Sequence, residues 1–358
     1  MKEKILLDFE KAQEKFRGHF DKLKNQLGDV SLESIIIDES EHLYIDIMKI
    51  SPNKNHTLIF TIGEHGVEGI FGSFIMEVFI EEILPMINLG DTTVILVHPI
   101  NPYGMKYLER TNKNNVDLNR NFLNSWENVF KNDSYLALRD FFERKGAVQP
   151  ILIERIGYLK DVLKILLEGR TKLVKNALLI GQYESQNGLY YGGRCYEKET
   201  EFIMRLFEEA LISSQDVVHI DIHTGYGPKD TMSVVNSYLF EEESKAFETK
   251  IDYRPVVKSE NSEFYAMSGD MIDYFYTLRN EKFKDKKLYS ASFEFGVLGD
   301  SMQAEIESLF RAIVNNKLRF FSSKSKKTKE EVKRLYLEAF CPVSEESVKK
   351  MYTEFKKA

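Results

Sequence analysis

The motif EHGVEG contains a histidine, His65, and a glutamate, Glu68, three residues apart. It directly follows HTLIFTIG, a short apolar stretch that ends in glycine, as a buried strand would. Side chains three residues apart project to the same side of a helical turn, so this imidazole and this carboxylate can bind one cation together. The same motif also arises by chance around a hydrogen-bonded structural histidine. On its own it leaves both interpretations open.

A second group of candidate ligands occurs in VVHIDIHTG, where His219, Asp221 and His223 alternate and so would share one face of a strand. His223 precedes the Thr-Gly pair that ends the strand. We therefore expect it at the carboxyl edge of the sheet, where open α/β sheets bind ligands. Added to His65 and Glu68, it gives two histidines and one glutamate, a set that leaves a position for water, as catalytic zinc sites do.

The other polar residues of these strands have competing interpretations. Asp221 would orient a metal ligand from behind or, equally, cap neighbouring backbone amides. His219 and a further histidine, His98, are interpreted as structural residues, because a histidine in an apolar strand is more often hydrogen-bonded within the fold than bound to metal.

A carboxylate, Glu294, interrupts the apolar strand SASFEFG near its end. An isolated glutamate at a strand edge usually faces solvent. Between two phenylalanines, however, burial would raise the pKa of the carboxyl group towards neutrality, which suits a general base. Glu294 is therefore a candidate catalytic residue.

The polar stretch ERTNKNNVDLNRNF contains Arg110, Asn119 and Arg120. Such a run of charges and amides is typical of a solvated loop. Its planar donor groups would also suit the carboxylate of a substrate and the negative charge that develops on a carbonyl oxygen during acyl transfer. Both interpretations are kept.

These residues must be positioned by the elements around them. Short apolar stretches predict buried strands at HTLIFTIG, TTVILVHP, DVVHIDIH, TMSVVNSY and LYSASFEFG, and apolar residues at helical spacing follow the first of them. This alternation predicts an α/β fold with a mixed, largely parallel central sheet and helices on both faces. The chemistry-bearing residues then cluster after strand ends.

One catalytic domain is predicted over residues 1–321. It includes a helical insertion at about residues 134–179, where ILIERIGYLKDVLKILLEG repeats apolar residues every three or four positions. Residues 322–358 begin with SSKSKKTKEEVKR and are interpreted as a charged helical tail.

Composition argues against several functional classes. The net charge of −7 comes from 56 acidic and 49 basic residues spread along the chain, so no basic face for nucleic acid is indicated.

Cys195 and Cys341 have no CxxC spacing and are expected to be ordinary thiols in a reducing compartment. No apolar stretch reaches the roughly 18 residues of a membrane span. With no signal-peptide pattern at the N-terminus either, a soluble cytoplasmic protein is expected.

Taken together, EHGVEG, NNVDLNRNF, the strand-end His223 and FEFG occur in the order found in the zinc carboxypeptidase family, the M14-type metallopeptidases. Five motifs are most similar in sequence to the uncharacterised DUF2817 branch of that superfamily: HGVEG, HPINPYG, VDLNRNF, GQYESQNGLYYGG and DIHTGYGP. The resemblance implies a zinc carboxypeptidase-like fold of the phosphorylase/hydrolase type.

The resemblance also implies roles for individual residues. His65, Glu68 and His223 would bind one zinc ion. Glu294 would act as the base and proton shuttle, and Arg110 would help to polarise the scissile carbonyl group.

Four further residues would form the substrate site. Asn119 and Arg120 would clamp a terminal carboxylate. The segment FYAMSGDMIDY resembles the carboxypeptidase loop that carries a mobile tyrosine, so Tyr265 would cap the site and Ile272 would line a side-chain pocket. The tract GQYESQNGLYYGG would form a wall of the substrate cleft.

These roles predict zinc-dependent hydrolysis of an amide bond beside a free carboxylate, in a small peptide or an N-acyl amino acid. The motif DIHTG is more similar to the Asp-x-His-Thr motif of the succinylglutamate desuccinylase and aspartoacylase branch than to the corresponding motif of the peptidases. A small-molecule N-acyl amino acid deacylase is therefore one alternative. A protein that binds zinc on the same fold without turnover is another.

Overall fold

The structure is a computed structural model that describes residues 2–127, 129–258 and 269–358. Eight strands of the described residues form one sheet: β1 (Val30–Asp38), β2 (Leu43–Ile50), β3 (His56–Ile62), β4 (Thr92–His98), β5 (Asp216–Thr224), β6 (Met232–Asn236), β7 (Val256–Lys258) and β8 (Lys287–Phe295). Their order across the sheet is β1-β2-β4-β3-β5-β8-β6-β7.

The centre of the sheet is parallel. β4, β3, β5 and β8 run side by side in one direction. At one edge β2 lies antiparallel to β4 and β1 antiparallel to β2, while at the other edge β6 lies antiparallel to β8. The predicted mixed, largely parallel sheet is thus confirmed. Because parallel strands end at the same edge, the carboxyl ends of β3, β5 and β8 lie next to one another.

The helices precede, connect and follow these strands. Their bounds are α1 (Phe9–Leu27), α2 (Gly69–Val78), α3 (Pro102–Tyr107), α4 (Asp133–Ala137), α5 (Arg139–Phe142), α6 (Ile151–Leu167), α7 (Thr171–Ile180), α8 (Lys198–Ser213), α9 (Ser244–Ile251), α10 (Met271–Lys282), α11 (Met302–Phe321), α12 (Lys326–Phe340) and α13 (Glu345–Phe355). Two short 3-10 turns, Gly66–Glu68 and Leu118–Arg120, carry residues of the predicted site.

Apolar strand residues pack against helices on both faces of the sheet. Phe60 and Ile62 of β3 lie in a core with α1, α2 and α13, whereas Ile59 lies in a core with α8 and α10. Successive strand residues point to opposite faces, so neighbouring residues of β3 belong to different cores. His219 of β5 faces the second of these cores, because its ring lies 4.9 Å from that of Phe207 in α8.

The last two helices contribute to the cores of the domain. Tyr336 and Phe340 of α12 cluster with Val67, next to the predicted metal motif. The ring of Phe355 in α13 lies 6.1 Å from that of Phe60 in β3. The first residues of the predicted tail, 322–358, are mostly exposed, as their charged sequence predicts. The helices of this tail nevertheless bury apolar faces. The domain boundary between residues 321 and 322 stays a prediction.

Helices α4 to α7 occupy the stretch predicted as a helical insertion. The inner face of α6 packs on α11, where Glu154 and Lys317 form a buried ion pair at 2.8 Å. Arg155 of α6 pairs with Glu307 of α11. These helices are therefore fixed to the rest of the described chain by charged contacts as well as by apolar ones.

From composition, we expect two ordinary thiols and no membrane-spanning segment. Cys195 is exposed and Cys341 is buried, and neither takes part in a disulfide within the described residues. Nor does any described helix combine the length and the apolar character that crossing a membrane requires.

Candidate metal centre

The loop after β3 brings the predicted metal motif to the carboxyl edge of the sheet. His65 directly precedes the 3-10 turn Gly66–Glu68, which continues into α2. Gly66 lies so close to Gly104 that an added Cβ would stand 2.1 Å from a backbone carbon. Its amide donates a hydrogen bond of 3.1 Å to the carbonyl of Arg110. A larger residue here would displace the turn that holds both predicted ligands.

Glu68 lies between the two predicted histidine ligands. Its Oε1 lies 3.0 Å from Nδ1 of His65, and its Oε2 lies 3.2 Å from Nδ1 of His223. The backbone amide of Thr224 donates a hydrogen bond of 2.8 Å to Oε2. All three predicted ligands have side chains that are at most 5% exposed. The fold thus brings them together in a buried group.

The imidazoles control the charge of Glu68. Burial by itself would raise the pKa of Glu68, but His65 and His223 outweigh burial and hold that pKa well below its usual range. Burial also opposes a charge on His223, whose pKa is nevertheless raised, first by Asp221 and then by Glu68. Glu68 is therefore an ionised carboxylate at neutral pH.

A second carboxylate faces the outer nitrogen of each imidazole. Nε2 of His65 lies 3.3 Å from Oδ1 of Asp117, and Nε2 of His223 lies 2.5 Å from Oδ2 of Asp221. The other oxygen of Asp221 accepts a hydrogen bond of 2.5 Å from the hydroxyl of Thr61. A carboxylate behind a metal-binding imidazole fixes the ring and leaves the opposite nitrogen for the metal. Both Nδ1 atoms are oriented in this way towards Glu68.

The spacing of these atoms can be compared with that of a zinc site. Around a tetrahedral zinc ion with bonds of about 2.0–2.1 Å, neighbouring ligand atoms lie roughly 3.3 Å apart. The contacts of Glu68 with the two Nδ1 atoms, 3.0 and 3.2 Å, are close to that value. Imidazole nitrogen and carboxylate oxygen are also ligands that zinc accepts in proteins. His65, Glu68 and His223 therefore fit a zinc ion.

A further buried carboxylate, Glu64, adjoins the same histidines. Glu64, His65 and His223 each offer a ligand atom, and these atoms all lie within 4.8 Å of one another. Glu64 is 1% exposed, and neither of its carboxylate oxygens has a hydrogen bond within the described part of the chain. Burial, and next the nearby Asp221, raise its pKa well above the usual value. Glu64 was not among the predicted residues, although its place beside His65 in EHGVEG was a signal.

Arg110 reaches the metal centre from the loop after α3. Its Nε donates a hydrogen bond of 2.8 Å to Oδ2 of Asp117, and one Nη lies 3.8 Å from Oε1 of Glu68. The guanidinium group also lies over the ring of Tyr190, 5.3 Å from the centroid. Although burial opposes its charge, Asp117 raises the pKa of Arg110 above the usual value. The side chain is thus a fixed cation beside the predicted ligands.

Glu294 lies on β8 opposite His223 of β5, to which it is paired in the parallel ladder. Its side chain is partly buried, and Oε2 has no hydrogen bond within the described residues. Burial raises the pKa of Glu294 to about 7, although His223 opposes the shift. The carboxyl group can therefore exchange a proton near neutral pH.

The two residues of the predicted carboxylate clamp contact backbone groups. Oδ1 of Asn119 accepts a hydrogen bond of 2.9 Å from the amide of Met271 at the start of α10. Arg120 donates hydrogen bonds of 2.6 and 2.9 Å to the carbonyls of Asn119 and Leu179. Its Nε has no hydrogen bond among the described residues. That these residues bind substrate stays a prediction.

The remaining two predicted substrate residues lie in and beside FYAMSGDMIDY. Tyr265 lies outside the described residues. Ile272 is 6% exposed and packs in the core beneath α8 and α10. A role for Ile272 in a pocket also stays a prediction.

Both histidines that were interpreted as structural are buried and hydrogen-bonded within the fold. His219 contacts the hydroxyls of Thr61 at 3.0 Å and Ser290 at 2.9 Å, and His98 contacts that of Ser73 at 2.8 Å. Burial lowers the pKa of His219 to about 4 and that of His98 to about 3. Both are therefore neutral, as structural residues are expected to be.

Solved structures to which the chain shows similarity include the following three. Bovine thrombin-activatable fibrinolysis inhibitor, solved with a tick carboxypeptidase inhibitor, is 16% identical over 91% of this chain and 95% of that chain, with a TM-score of 0.47. Carboxypeptidase A from Helicoverpa armigera is 14% identical over 91% and 73%, with a TM-score of 0.44. Murein-tripeptide amidase from Escherichia coli O157 is 16% identical over 76% and 86%, with a TM-score of 0.34. No curated protein matches the chain.

A family model described as "Protein of unknown function (DUF2817)" matches residues 6–353. The match spans all eight strands of the described sheet and every segment that carries a predicted ligand. The resemblance predicted from HGVEG and DIHTGYGP is thereby confirmed. The chain belongs to the DUF2817 family.

Proposed function

We propose that the chain is a zinc-dependent hydrolase that cleaves an amide bond next to a free carboxylate. The observation that carries this proposal is the position of Glu68 between Nδ1 of His65 and Nδ1 of His223, at 3.0 and 3.2 Å. Two histidines and one glutamate are a ligand set of catalytic zinc sites, which keep one position open. Zinc bound by these three residues would supply Lewis-acid chemistry and lower the pKa of water towards about 7.

Glu294 is the proposed general base. A carboxyl group with a pKa of about 7 can take up and release a proton at neutral pH. Its place opposite His223 on the neighbouring strand puts it beside the proposed ligands. We assign to Glu294 the removal of a proton from the attacking water and its return to the leaving nitrogen.

Arg110 is the proposed stabiliser of negative charge on the carbonyl oxygen. Asp117 binds its Nε, so the guanidinium plane is held while its outer N–H groups remain donors. A preorganised cation of this kind stabilises charge that develops in the transition state. The contact of 3.8 Å with Glu68 keeps this cation next to the proposed metal ligands.

Asn119 and Arg120 are proposed to bind the free carboxylate of a small peptide or of an N-acyl amino acid. The amide of Met271 occupies Oδ1 of Asn119, so its donating Nδ2 is the end available to an anion. Arg120 is bound to neutral carbonyls, and a guanidinium group bonds a carboxylate more strongly than a neutral acceptor. A substrate carboxylate would therefore offer Arg120 a stronger acceptor than the carbonyls that it contacts.

Two residues complete the proposed substrate site. Tyr265 would cap the bound substrate. Ile272 is 6% exposed, so it would contribute through the small part of its side chain that is not packed in the core.

A deacylase of small N-acyl amino acids, of the aspartoacylase type, is the second candidate. The motif DIHTG, in which Asp221 contacts the ring of His223, favours this candidate. A zinc-binding protein without turnover is less favoured, because a protein that only binds metal does not need a charged Arg110 and a partly buried Glu294 at one site.

The test compares wild-type protein with E294Q on matched substrates. We would measure zinc content by mass spectrometry and hydrolysis of short peptides with free or amidated C-termini and of N-acyl amino acids. We expect one zinc per chain in both proteins and hydrolysis by wild type alone, with E294Q slower by at least about 100-fold.

The matched control is E199Q, because Glu199 is also buried with a pKa raised to about 7 but lies outside the site. It should retain activity. Peptide cleavage that requires a free C-terminus supports a carboxypeptidase, and cleavage of N-acyl amino acids alone supports the deacylase. Bound zinc with no hydrolysis of either class would contradict the proposed activity.

A further inference from the structure

The outer face of α6 exposes many large apolar side chains. Seven of them are between 46% and 80% exposed: Leu152, Ile153, Ile156, Leu159, Leu163, Leu166 and Leu167. The opposite face of the helix is buried, with Glu154, Tyr158 and Ile165 directed into the domain. The helix thus packs one face on the domain, whereas its exposed apolar face has no partner within the described residues. We refer to the seven exposed residues as the α6 face.

Five residues of the α6 face follow the spacing of a helix-to-helix seam. Steps of four, three, four and three residues separate Leu152, Ile156, Leu159, Leu163 and Leu166. This alternation keeps apolar side chains on one narrow stripe that packs against another helix. From Ile156 to Leu166 the intervals between these residues are three, four and three positions. This order of intervals is the same when the helix is read in either direction. An antiparallel copy of α6 therefore presents a matching stripe.

We propose that α6 forms the interface of a symmetric dimer, packed antiparallel against α6 of a second copy of the chain. In this register Ile156 packs against Leu166 of the partner subunit, and Leu159 packs against Leu163 of the partner subunit. A two-fold axis between Leu159 and Leu163, at the level of position 161, generates each contact twice, as in an isologous interface. The proposal goes beyond the hydrolase function and does not depend on it.

The size of the α6 face fits a dimer. At their observed exposures, seven leucine and isoleucine side chains present on the order of 700 Å², whereas the largest apolar patch of a typical monomer is about 300–600 Å². One partner of a standard interface buries about 800 Å². The α6 face alone therefore supplies most of the surface that one subunit would bury.

The charges around α6 favour a second copy over a lipid surface. Four basic residues on or next to α6 are paired with acids: Arg144 with Asp161, Arg155 with Glu307, Lys164 with Glu168 and Lys317 with Glu154. An anionic bilayer attracts clusters of basic residues whose charge is not neutralised. The straight stripe of the α6 face also suits the groove of another helix better than a flat surface.

The first test measures the mass of the full chain in solution by sedimentation velocity. We expect a dimer at micromolar concentration for wild type and a monomer for L159E/L163E, with a dissociation constant raised by at least about 100-fold. The matched control is M86E, which places a charge on Met86, an apolar residue that is 74% exposed and lies outside α6. It should remain dimeric. Circular dichroism would verify that all three proteins are folded.

The second test measures the register and needs no disruptive variant. In a C195S background, a mixture of L159C and L163C should form an intermolecular disulfide at least about tenfold faster than either protein alone, because these positions face each other across the interface. A monomeric wild type at about 100 μM, or cross-linking that is no faster in the mixture, would overturn the proposal. So would a monomer that sediments with phosphatidylserine vesicles through the α6 face. Hydrolase activity enters neither test, so failure here is separate from failure of the proposed function.

Discussion

Oε2 of Glu68 lies 3.2 Å from Nδ1 of His223, although 155 positions separate the two residues in the sequence. Glu68 follows β3 and His223 lies at the end of β5, and these strands are adjacent and parallel. Their carboxyl ends therefore meet at one edge of the sheet. The contact is thus a direct consequence of strand order.

Zinc affinity should distinguish the two carboxylates that adjoin the histidines. We expect E68Q to bind zinc about 100-fold more weakly than wild type or worse, because Glu68 contacts both Nδ1 atoms. E64Q should change the affinity less than about tenfold, because the 3.5 Å contact of Glu64 is with Nε2 of His223, which Asp221 already faces. Competition with a chromophoric chelator measures both. Loss of zinc from E64Q with retention by E68Q would place the metal on Glu64 instead.

The pH dependence of hydrolysis should reflect the pKa of Glu294. Burial raises that pKa to about 7, so the group is protonated at lower pH and becomes a base only as the pH rises. We expect kcat/KM to increase about tenfold per pH unit below the inflection and then to level off. A bound cation favours the ionised carboxylate, so the inflection of the zinc-loaded enzyme should lie at or below about 7.

A profile of kcat/KM that falls as the pH rises through this range would contradict that assignment. The residual rate of E294Q should lose the dependence on the same inflection. E199Q should keep it, although burial raises the pKa of Glu199 to about 7 as well.

Some parts of the site follow from local sequence and others do not. The three-residue spacing of His65 and Glu68 is local, and the place of His223 follows from one strand, so their meeting at one edge of the sheet could be predicted. That they bind a metal stays a prediction. The raised pKa of Glu64 could not be predicted, because it depends on burial within the fold and on Asp221 of a distant strand. The pairing of Arg110 with Asp117 was also missed, since a polar loop does not indicate which charges it pairs internally.

The fold shows the same division. Alternating strands and helices predict the α/β class, because the apolar periodicity of each element is local. The C-terminal segment was interpreted as a charged tail because charges dominate its first residues. Its apolar residues Val332, Tyr336 and Phe340 are spaced as one helical stripe, and this stripe packs on the domain. The surface against which such a stripe packs depends on tertiary structure, and composition does not specify it.

Arg120 should distinguish substrates by their terminal carboxylate. We expect R120A to lower kcat/KM for peptides with a free C-terminus by about 10- to 100-fold, as for loss of a charge-assisted hydrogen bond. Amidated analogues should be affected much less. R120K should fall between wild type and R120A, because lysine keeps the charge without the planar pair of donors. Equal losses for free and amidated substrates would remove the clamp from the mechanism, since Arg120 would then act through its contacts with Asn119 and Leu179.

Stability should reveal how far the C-terminal helix is part of the domain. Phe355 of α13 is 3% exposed, and its ring lies 6.1 Å from that of Phe60 and 6.5 Å from that of Phe295. F355A should lower the free energy of unfolding by about 3–5 kcal/mol, because it leaves a cavity against the central strands. The control K349A removes an exposed side chain of the same helix and should change it by less than about 0.5 kcal/mol. Urea unfolding followed by circular dichroism measures both. If F355A matches K349A, α13 is an appendage that the sheet does not need.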